Sequence, residues 1–304
     1  SGKLGLPHAV ALDSGTSALM LALRALQSRQ RVRRVGIPAY CCGSVYYAVC
    51  AAGCDPVWMD CRDNLRLHAE QAHDLASTMD AMILVHPFGM VEPMAAESWP
   101  CPVIEDIAQS AGACLQGQPV GSFGDIAVAS FHVTKPWGGA YGGMVLSRDA
   151  SLCDAITDMR DPDRQQTWPD YAGHHQLSDL HAALAMQRIE VATEEQRMRA
   201  QIAEKMDAWF VGMNTKPVMH DEGNRYRYIV RTRRQAEEVV TTLRKHGIGA
   251  ARPVSSLCKA IDEVNTLIPG AWAAWQDCVS LPLLPDCSED EFLQIRKAVK
   301  ACMT

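Results

Sequence analysis

The chain has 304 residues, of which 48% are hydrophobic and 21% charged, and its formal net charge is −6. This length and composition are those of a soluble globular protein with a large buried core, and they predict one large domain and one smaller domain. Neither lysine nor arginine forms a dominant basic block, so we expect no nucleic acid and no anionic membrane as a partner.

Twelve cysteines are scattered through apolar segments of a chain too long to need disulfide cross-links, which predicts reduced and mostly buried thiols. Cys50 and Cys54 have no histidine nearby, so we expect no zinc site. The apolar stretch 18–26 contains Arg24 and is far shorter than the ~20 residues of a membrane span, and the first residues do not resemble a signal peptide. These features together predict a cytoplasmic protein.

The first half of the chain alternates between strand patterns and helix patterns, which is typical of a mostly parallel sheet covered by helices. The predicted strands are, in chain order, 8–12, 34–37, 56–59, 81–85, 102–104, 126–131 and 143–146. Helices are predicted over 17–27 and 44–52. The fold class expected from this half is α/β.

A long amphipathic helix is predicted over 178–209, and the pattern changes after it. A strand over 225–231, a helix over 235–246 that ends at Gly247, a strand over 279–281 and a helix over 288–301 form a compact α+β unit. We therefore predict a large domain over 1–190 and a small C-terminal α+β domain over 191–304, joined by the long helix.

The first candidate binding segment is 13–19, where a strand runs into a turn of small residues and then a helix. Gly15, Thr16 and Ser17 lie at the start of that helix, where unpaired backbone N–H groups and the positive end of the helix dipole can bind a phosphate. The alternative is that a serine or threonine here serves only as the helix N-cap.

The second candidate segment is 103–109, where an apolar strand ends in Glu105 and Asp106. Ligands of parallel sheets bind beyond the carboxyl ends of the strands, so a carboxylate there can face a cofactor. A nearby anionic aspartate would also keep a pyridine nitrogen protonated. The alternative is a carboxylate that only caps the following helix.

The third candidate segment is 121–135, where an apolar strand leads to Ser130 and then to Lys135. Gly138 and Gly139 follow, and we expect them to make the backbone around the lysine flexible. A lysine that forms an imine must be partly desolvated or lie near other cations, so that its amine can be neutral. An ordinary surface lysine is the alternative.

Taken together, the three segments resemble the DegT/StrS family of fold-type I pyridoxal 5′-phosphate (PLP) enzymes, best known as sugar aminotransferases. The resemblance extends over 8–26, 37–40, 53–60, 103–112, 119–145, 176–190, 225–253 and 280–283. It implies a three-layer, aspartate-aminotransferase-like large domain and the transfer of an amino group from an amino acid to a keto or aldehyde acceptor.

The resemblance also implies roles for single residues. Lys135 would form the Schiff base with PLP and move the proton during catalysis, and Asp106 would pair with the pyridinium nitrogen. Gln109 would lie beside the ring. The phosphate would be bound by the backbone of Gly15, Thr16 and Ser17 together with the hydroxyl of Ser130. His174 would reach the phosphate of the partner subunit, which implies a homodimer with shared active sites.

The sequence departs from the family pattern on the substrate side. The chain begins almost at the first strand, whereas family members usually carry an additional N-terminal segment near the substrate. Cys42 occupies the position where many relatives stack an aromatic ring on PLP, and Tyr40 is close by. Gln176 replaces an arginine that would bind an anion. These departures leave open an acceptor other than a nucleotide-linked sugar.

Two alternatives to amino transfer remain at this point. The same Schiff base can serve an elimination, a cyclisation or a condensation on a small amino acid. A protein of this fold can also be a catalytically silent binding protein, although the presence of both Asp106 and Lys135 argues against that.

Overall fold

The computed structural model describes residues 5–163, 168–213, 215–218, 223–232, 234–257, 261, 264–284 and 287–303. The strands are β1 (His8–Leu12), β2 (Arg34–Pro38), β3 (Asp55–Met59), β4 (Ala81–Val85), β5 (Val103–Asp106), β6 (Cys114–Leu115), β7 (Gln118–Pro119), β8 (Ile126–Ser130), β9 (Gly143–Ser147), β10 (Lys216–Pro217), β11 (Tyr228–Arg231) and β12 (Cys278–Leu281). The helices are α1 (Gly15–Gln27), α2 (Gly43–Ala51), α3 (Ala69–Ala76), α4 (Ala150–Arg160), α5 (Asp179–Asp207), α6 (Ala236–Lys245), α7 (Val264–Leu267), α8 (Pro269–Asp277) and α9 (Glu289–Met303).

A seven-stranded sheet forms the centre of the first half, in the order β1-β9-β8-β5-β4-β2-β3. The pairs among β3, β2, β4, β5 and β8 are parallel, whereas β9 runs antiparallel to both β8 and β1. All seven predicted strands of this half belong to the sheet, and the α/β fold class with a mostly parallel sheet is confirmed.

Helices cover both faces of this sheet, because its central strands are apolar on both sides. In β4, Ile83 and Val85 pack into one core cluster with α1 and α2, while Met82 and Leu84 pack into a second cluster with α3. This alternation follows from the two-residue period of a strand. The result is the three-layer arrangement that the resemblance implies.

A second, three-stranded antiparallel sheet has the order β10-β11-β12. It packs against α6 and α9 in a third core cluster. Helix α5 contributes Ala185 and Ala192 to a cluster of the large sheet, and Ala203 and Met206 to the cluster of the small one. The predicted long helix therefore bridges the two sheets, while the division of the chain at residue 190 remains a prediction.

Two differences from the sequence expectation concern the second half of the chain. The strand predicted from residue 225 begins only at Tyr228, because Arg225 has a φ of 49°, outside the range of extended strands. Helix α8 was not predicted; it begins at Pro269, and the carboxylate of Asp60 accepts hydrogen bonds from the backbone N–H groups of Gly270 and Ala271 at its start. That cap comes from a residue distant in sequence.

Within the part of the chain described here, no helix has both the length and the apolar composition that a membrane span requires.

Candidate active site

The N-terminus of α1 lies at the edge of the sheet where β1 ends. Ser14 is the N-cap, and its hydroxyl accepts a hydrogen bond of 3.1 Å from the backbone N–H of Ser17. The N–H groups of Gly15 and Thr16 have no partner among the described residues. The cap and the anion site predicted here are thus compatible, because the cap uses the N–H of Ser17 and leaves two others available.

Gly15 brings this helix start close to β8. A Cβ atom at position 15 would lie 3.0 Å from the Cβ of Ser130, tighter than ordinary packing. A Cβ at Gly143 on β9 would clash with the carbonyl group of Ser14. The absence of side chains at these two positions therefore places the Ser130 hydroxyl beside the free N–H groups of α1.

Asp106 is the last residue of β5, and its side chain is buried, with 7% of the residue exposed. Its Oδ1 accepts a hydrogen bond of 2.9 Å from the backbone N–H of Ala108. Burial raises the pKa of Asp106, and the Ala108 N–H and the positive charge of Lys135 only partly oppose this effect. A bound cation would favour the ionised carboxylate.

Gln109 lies one turn beyond Asp106 and is equally buried. Its Oε1 accepts a hydrogen bond of 2.9 Å from the backbone N–H of Phe88, which has a φ of 58°. A left-handed conformation is unusual for a phenylalanine. Gln109 thus satisfies a buried backbone group in the loop that follows β4.

Lys135 lies in the loop after β8, where the chain turns tightly. Its N–H donates to the carbonyl of His132 and its carbonyl accepts from the N–H of Gly138, both at 2.8 Å. A Cβ at Gly138 would clash with the His132 carbonyl, and one at Gly139 would clash with the backbone of Ala185. The glycines therefore allow a close-packed, hydrogen-bonded turn, and the expectation of a flexible backbone is not supported by this geometry.

These elements surround one cavity of about 340 Å³ at the carboxyl ends of β4, β5 and β8. Six of the eight predicted site residues line it: Gly15, Thr16, Asp106, Gln109, Ser130 and Lys135. Ser17 and His174 are not among its described lining residues. The parallel sheet brings together residues that lie more than a hundred positions apart, as expected for the end of such a sheet.

His174 is exposed, and its position is set by its neighbour. The His175 ring contacts Asp13 at 3.3 Å and the Tyr171 hydroxyl at 2.7 Å, and the His175 carbonyl accepts from the N–H of Asp13. Gln176 lies in a different surface depression, beside Arg160. Within this chain, neither His174 nor Gln176 lines the cavity of Lys135.

Several residues that line the cavity have no role predicted from the sequence. Arg227 and Ser44 are two of them, and no pattern in the sequence distinguishes them. Trp137 and Tyr141 both flank the lysine, but Trp137 is buried in the core whereas Tyr141 lines the cavity.

The residue that would stack on a bound ring was also left open. Cys42 lines the cavity. Tyr40 is buried and packs against Phe88 and Trp275, with ring centroids 5.9 and 6.2 Å away. These ring contacts hold Tyr40 in the core, so it cannot move into the stacking position.

Comparisons with solved structures agree with this architecture. A DegT/DnrJ/EryC1/StrS aminotransferase from Brucella abortus matches with a TM-score of 0.87 at 21% identity, covering 99% of this chain and 87% of that one. Spr1654 from Streptococcus pneumoniae, solved in its PLP form, matches with a TM-score of 0.83 at 21% identity, covering 100% and 90%. At these identities the likeness shows the fold.

Sequence comparison identifies the family. The chain is 29% identical to a UDP-N-acetyl-3-dehydro-alpha-D-glucosamine 3-aminotransferase from Acidithiobacillus ferrooxidans, over 99% of this chain and 85% of the relative. It is 28% identical to a GDP-perosamine synthase from Caulobacter vibrioides, over 68% of this chain and 57% of the relative.

The match to the family as a whole extends over residues 2–300, nearly the entire chain. The protein is a PLP-dependent aminotransferase, and it belongs to the DegT/DnrJ/EryC1/StrS aminotransferase family.

Proposed function

We propose that Lys135 is the catalytic lysine of this aminotransferase, that Asp106 binds the ring nitrogen of its cofactor, and that a keto sugar is the acceptor. One observation supports this proposal above all: Lys135, Asp106 and the free N–H groups of α1 line the same cavity.

The residues of the cavity fit the chemical groups of PLP. Two free backbone N–H groups and the Ser130 hydroxyl suit a phosphate, and the absence of a side chain at Gly15 leaves room for it. The buried carboxylate of Asp106 suits a cationic ring nitrogen, since it has no cationic hydrogen-bond partner of its own among the described residues. When bound, PLP supplies an electron sink that stabilises negative charge at the reacting substrate carbon.

The protein side chains then have distinct roles. Gly15, Thr16 and Ser130 would bind the phosphate, and Ser17 would contribute through its place in the first turn, because its N–H is held by Ser14. Asp106 would hold the ring nitrogen protonated. Gln109 would position the edge of the ring from its bond to Phe88.

Lys135 would move the proton. Its Nζ would take a proton from the reacting carbon of the amino donor and return one in the second half of the cycle. The tight turn around Lys135 restricts the backbone, which keeps this lysine in the lining of the cavity.

The acceptor is proposed from the sugar aminotransferases that this chain resembles. The donor amino acid would give up its nitrogen, take an oxygen from water at the same carbon and leave as a 2-oxo acid. The acceptor would receive that nitrogen at its carbonyl carbon, and the carbonyl oxygen would leave as water. Glutamate is the donor we propose to test first.

We also propose a cytoplasmic homodimer whose active sites are shared between subunits. The described cysteines are all free thiols, which supports a reducing compartment. Exposed apolar side chains near the lysine turn, including Leu180 and Met186 of α5, support a subunit contact there, and the exposed His174 lies in the segment that precedes the same helix.

The test is the substitution Lys135→Ala, with Lys245→Ala on the exposed face of α6 as its control. In wild type and in the control, borohydride reduction should attach the cofactor mass to the peptide that contains Lys135. Glutamate without acceptor should release one 2-oxoglutarate per active site. Lys135→Ala should show no adduct and should slow this release by at least about 100-fold. An adduct on another lysine in wild type would refute the assignment.

A further inference from the structure

Arg227 lies in the segment just before β11 and reaches the cavity of Lys135. Its backbone N–H donates to the carbonyl of Phe88 at 3.1 Å, and the N–H of Phe88 donates to Gln109. Arg227 is thus connected through Phe88 to Gln109, a residue of the proposed cofactor site. Its place in the cavity is thus set by a hydrogen bond to the loop after β4 as well as by its position just before β11 of the small sheet.

The guanidinium of Arg227 is only partly satisfied. Its Nη1 donates to the carbonyl of Pro253 at 3.3 Å. Among the described residues no carboxylate forms an ion pair with Arg227, whereas Arg225, two positions earlier, lies 3.9 Å from Asp207. A partly buried cation that faces a cavity without a counter-ion is a site for an anion.

Arg227 and Lys135 both lie near the ring of Tyr226. The Nζ of Lys135 is 5.7 Å from the centre of this ring, and the Cζ of Arg227 is 5.3 Å from it, both within cation–π range. Burial raises the pKa of Tyr226, but the charges of Lys135 and Arg227 outweigh burial and lower it. The two cations therefore act on the same small region.

The amino donor brings an anion into that region. Its α-carboxylate is bonded to the carbon that reacts at Lys135, so it must lie close to the lysine throughout the reaction. Asp106, which also lines the cavity, would repel it. Among the described residues that line this cavity, Arg227 is the one arginine. Its planar guanidinium can donate two parallel hydrogen bonds to a carboxylate.

We propose that Arg227 binds the α-carboxylate of the amino donor and so selects α-amino acids as donors. This inference rests on the proposed function for the place where the donor reacts. It makes Arg227 a substrate-binding residue of the first half-reaction.

The test measures binding and donor turnover separately in the holoenzyme. Glutarate, a dicarboxylate without an amine, serves as an unreactive ligand in calorimetry. We expect Arg227→Gln to weaken glutarate binding about 10- to 100-fold, because charge-assisted hydrogen bonds are lost. The glutamate concentration for half-maximal 2-oxoglutarate release should rise by a similar factor. Arg227→Lys keeps the positive charge but not the planar guanidinium, so its affinity for glutarate should lie between those of wild type and Arg227→Gln.

Arg225→Gln is the matched control, because it removes a cation from the same segment but not from the cavity lining. It should bind glutarate as wild type does, and thermal unfolding should show that each variant is folded. Binding of UDP, measured in parallel, should be the same in wild type and Arg227→Gln.

The outcomes separate this inference from the proposed function. Equal glutarate binding in Arg227→Gln and wild type overturns the inference, whatever Lys135 does. Weakened binding of UDP with glutarate binding unchanged also overturns it and assigns Arg227 to an acceptor phosphate. If wild type binds glutarate through Arg227 but releases no 2-oxoglutarate from glutamate, the carboxylate site stands and the proposed function fails.

Discussion

At the scale of single residues, the cavity places one buried acid, Asp106, together with the amine of Lys135. Asp106 is buried and receives one short-range backbone hydrogen bond from Ala108, so its charge is poorly compensated without a ligand. Because its folded-state pKa is raised, the ionised carboxylate reduces the stability of the apoprotein at pH values above the ordinary aspartate pKa of about 3.9. This is the arrangement expected of a group that is placed for a cation.

Asp106→Asn should therefore stabilise the apoprotein at pH 7, and this gain should disappear as the pH falls toward 3, where aspartate is protonated in both folded and unfolded states. The same change should reduce the rise in melting temperature on adding PLP and lower activity about 100-fold. Melting curves with and without PLP check both effects. Asp154→Asn, on the exposed face of α4, is the control, and an apoprotein destabilised by Asp106→Asn would contradict the argument.

At the scale of elements, the connection that leads into β8 is held by Glu105, the neighbour of Asp106 on β5. The Glu105 carboxylate accepts hydrogen bonds from the backbone N–H groups of Gly121, Phe123 and Gly124 at 2.6–2.7 Å, and contacts the buried ring of His86 at 3.0 Å. Burial raises the pKa of Glu105, but the His86 contact and the backbone donors outweigh burial and lower it. Adjacent residues of β5 thus point to opposite faces, one to the cavity and one to this turn.

Glu105→Gln should destabilise the apoprotein by about 3–5 kcal/mol at pH 7, because a buried acceptor of several donors is replaced by a group with donors of its own. The stabilisation from a lowered carboxylate pKa is complete above the unfolded value of about 4.3 and is lost as the pH falls through the folded value. The difference in the free energy of unfolding between wild type and Glu105→Gln, measured by urea unfolding, should therefore narrow as the pH falls from 6 to 3. Glu204→Gln, which is exposed on α5, should show no such difference.

At the scale of the whole molecule, α5 joins the two sheets and also presents an apolar surface beside the active site. Leu180 and Met186 are 70% and 68% exposed, and Tyr141 of the lysine loop lies 6.0 Å from the ring of His181 on the same helix. The N–H group of the Arg188 side chain donates to the carbonyl of Gly138 at 3.1 Å. A subunit contact on this surface would reach the turn of Lys135 directly.

Met186→Glu should weaken the proposed dimer about 10-fold or more, because it would bury an unpaired charge at the contact. If the active sites are shared, the activity per subunit of this variant should fall as the enzyme is diluted. Sedimentation and activity measured over a dilution series check this. Val211→Glu replaces another exposed apolar residue, in the turn that follows the C-terminal end of α5, and should leave the dimer unchanged. A wild-type monomer with full activity would refute the shared site.

Much of this architecture is determined locally. The strands of the large sheet are short apolar runs, and α1 begins where Ser14 and Gly15 provide an N-cap and a close approach. Asp106 is the last residue of the buried strand β5 and Lys135 lies in the loop that follows the buried strand β8, so their position at one edge of a parallel sheet follows from the chain order. For these features, pattern and spacing alone were sufficient.

Other features depend on contacts between distant segments. The start of α8 depends on Asp60, more than two hundred residues earlier, and the availability of the α1 N–H groups depends on which of them Ser14 uses. Arg227 reaches the cavity because its N–H donates to the carbonyl of Phe88, in the loop after β4. Periodicity encodes which side of an element is buried, but not which element it meets. The tertiary structure alone therefore decided that an arginine with no ion-pair partner among the described residues lines the same cavity as Lys135.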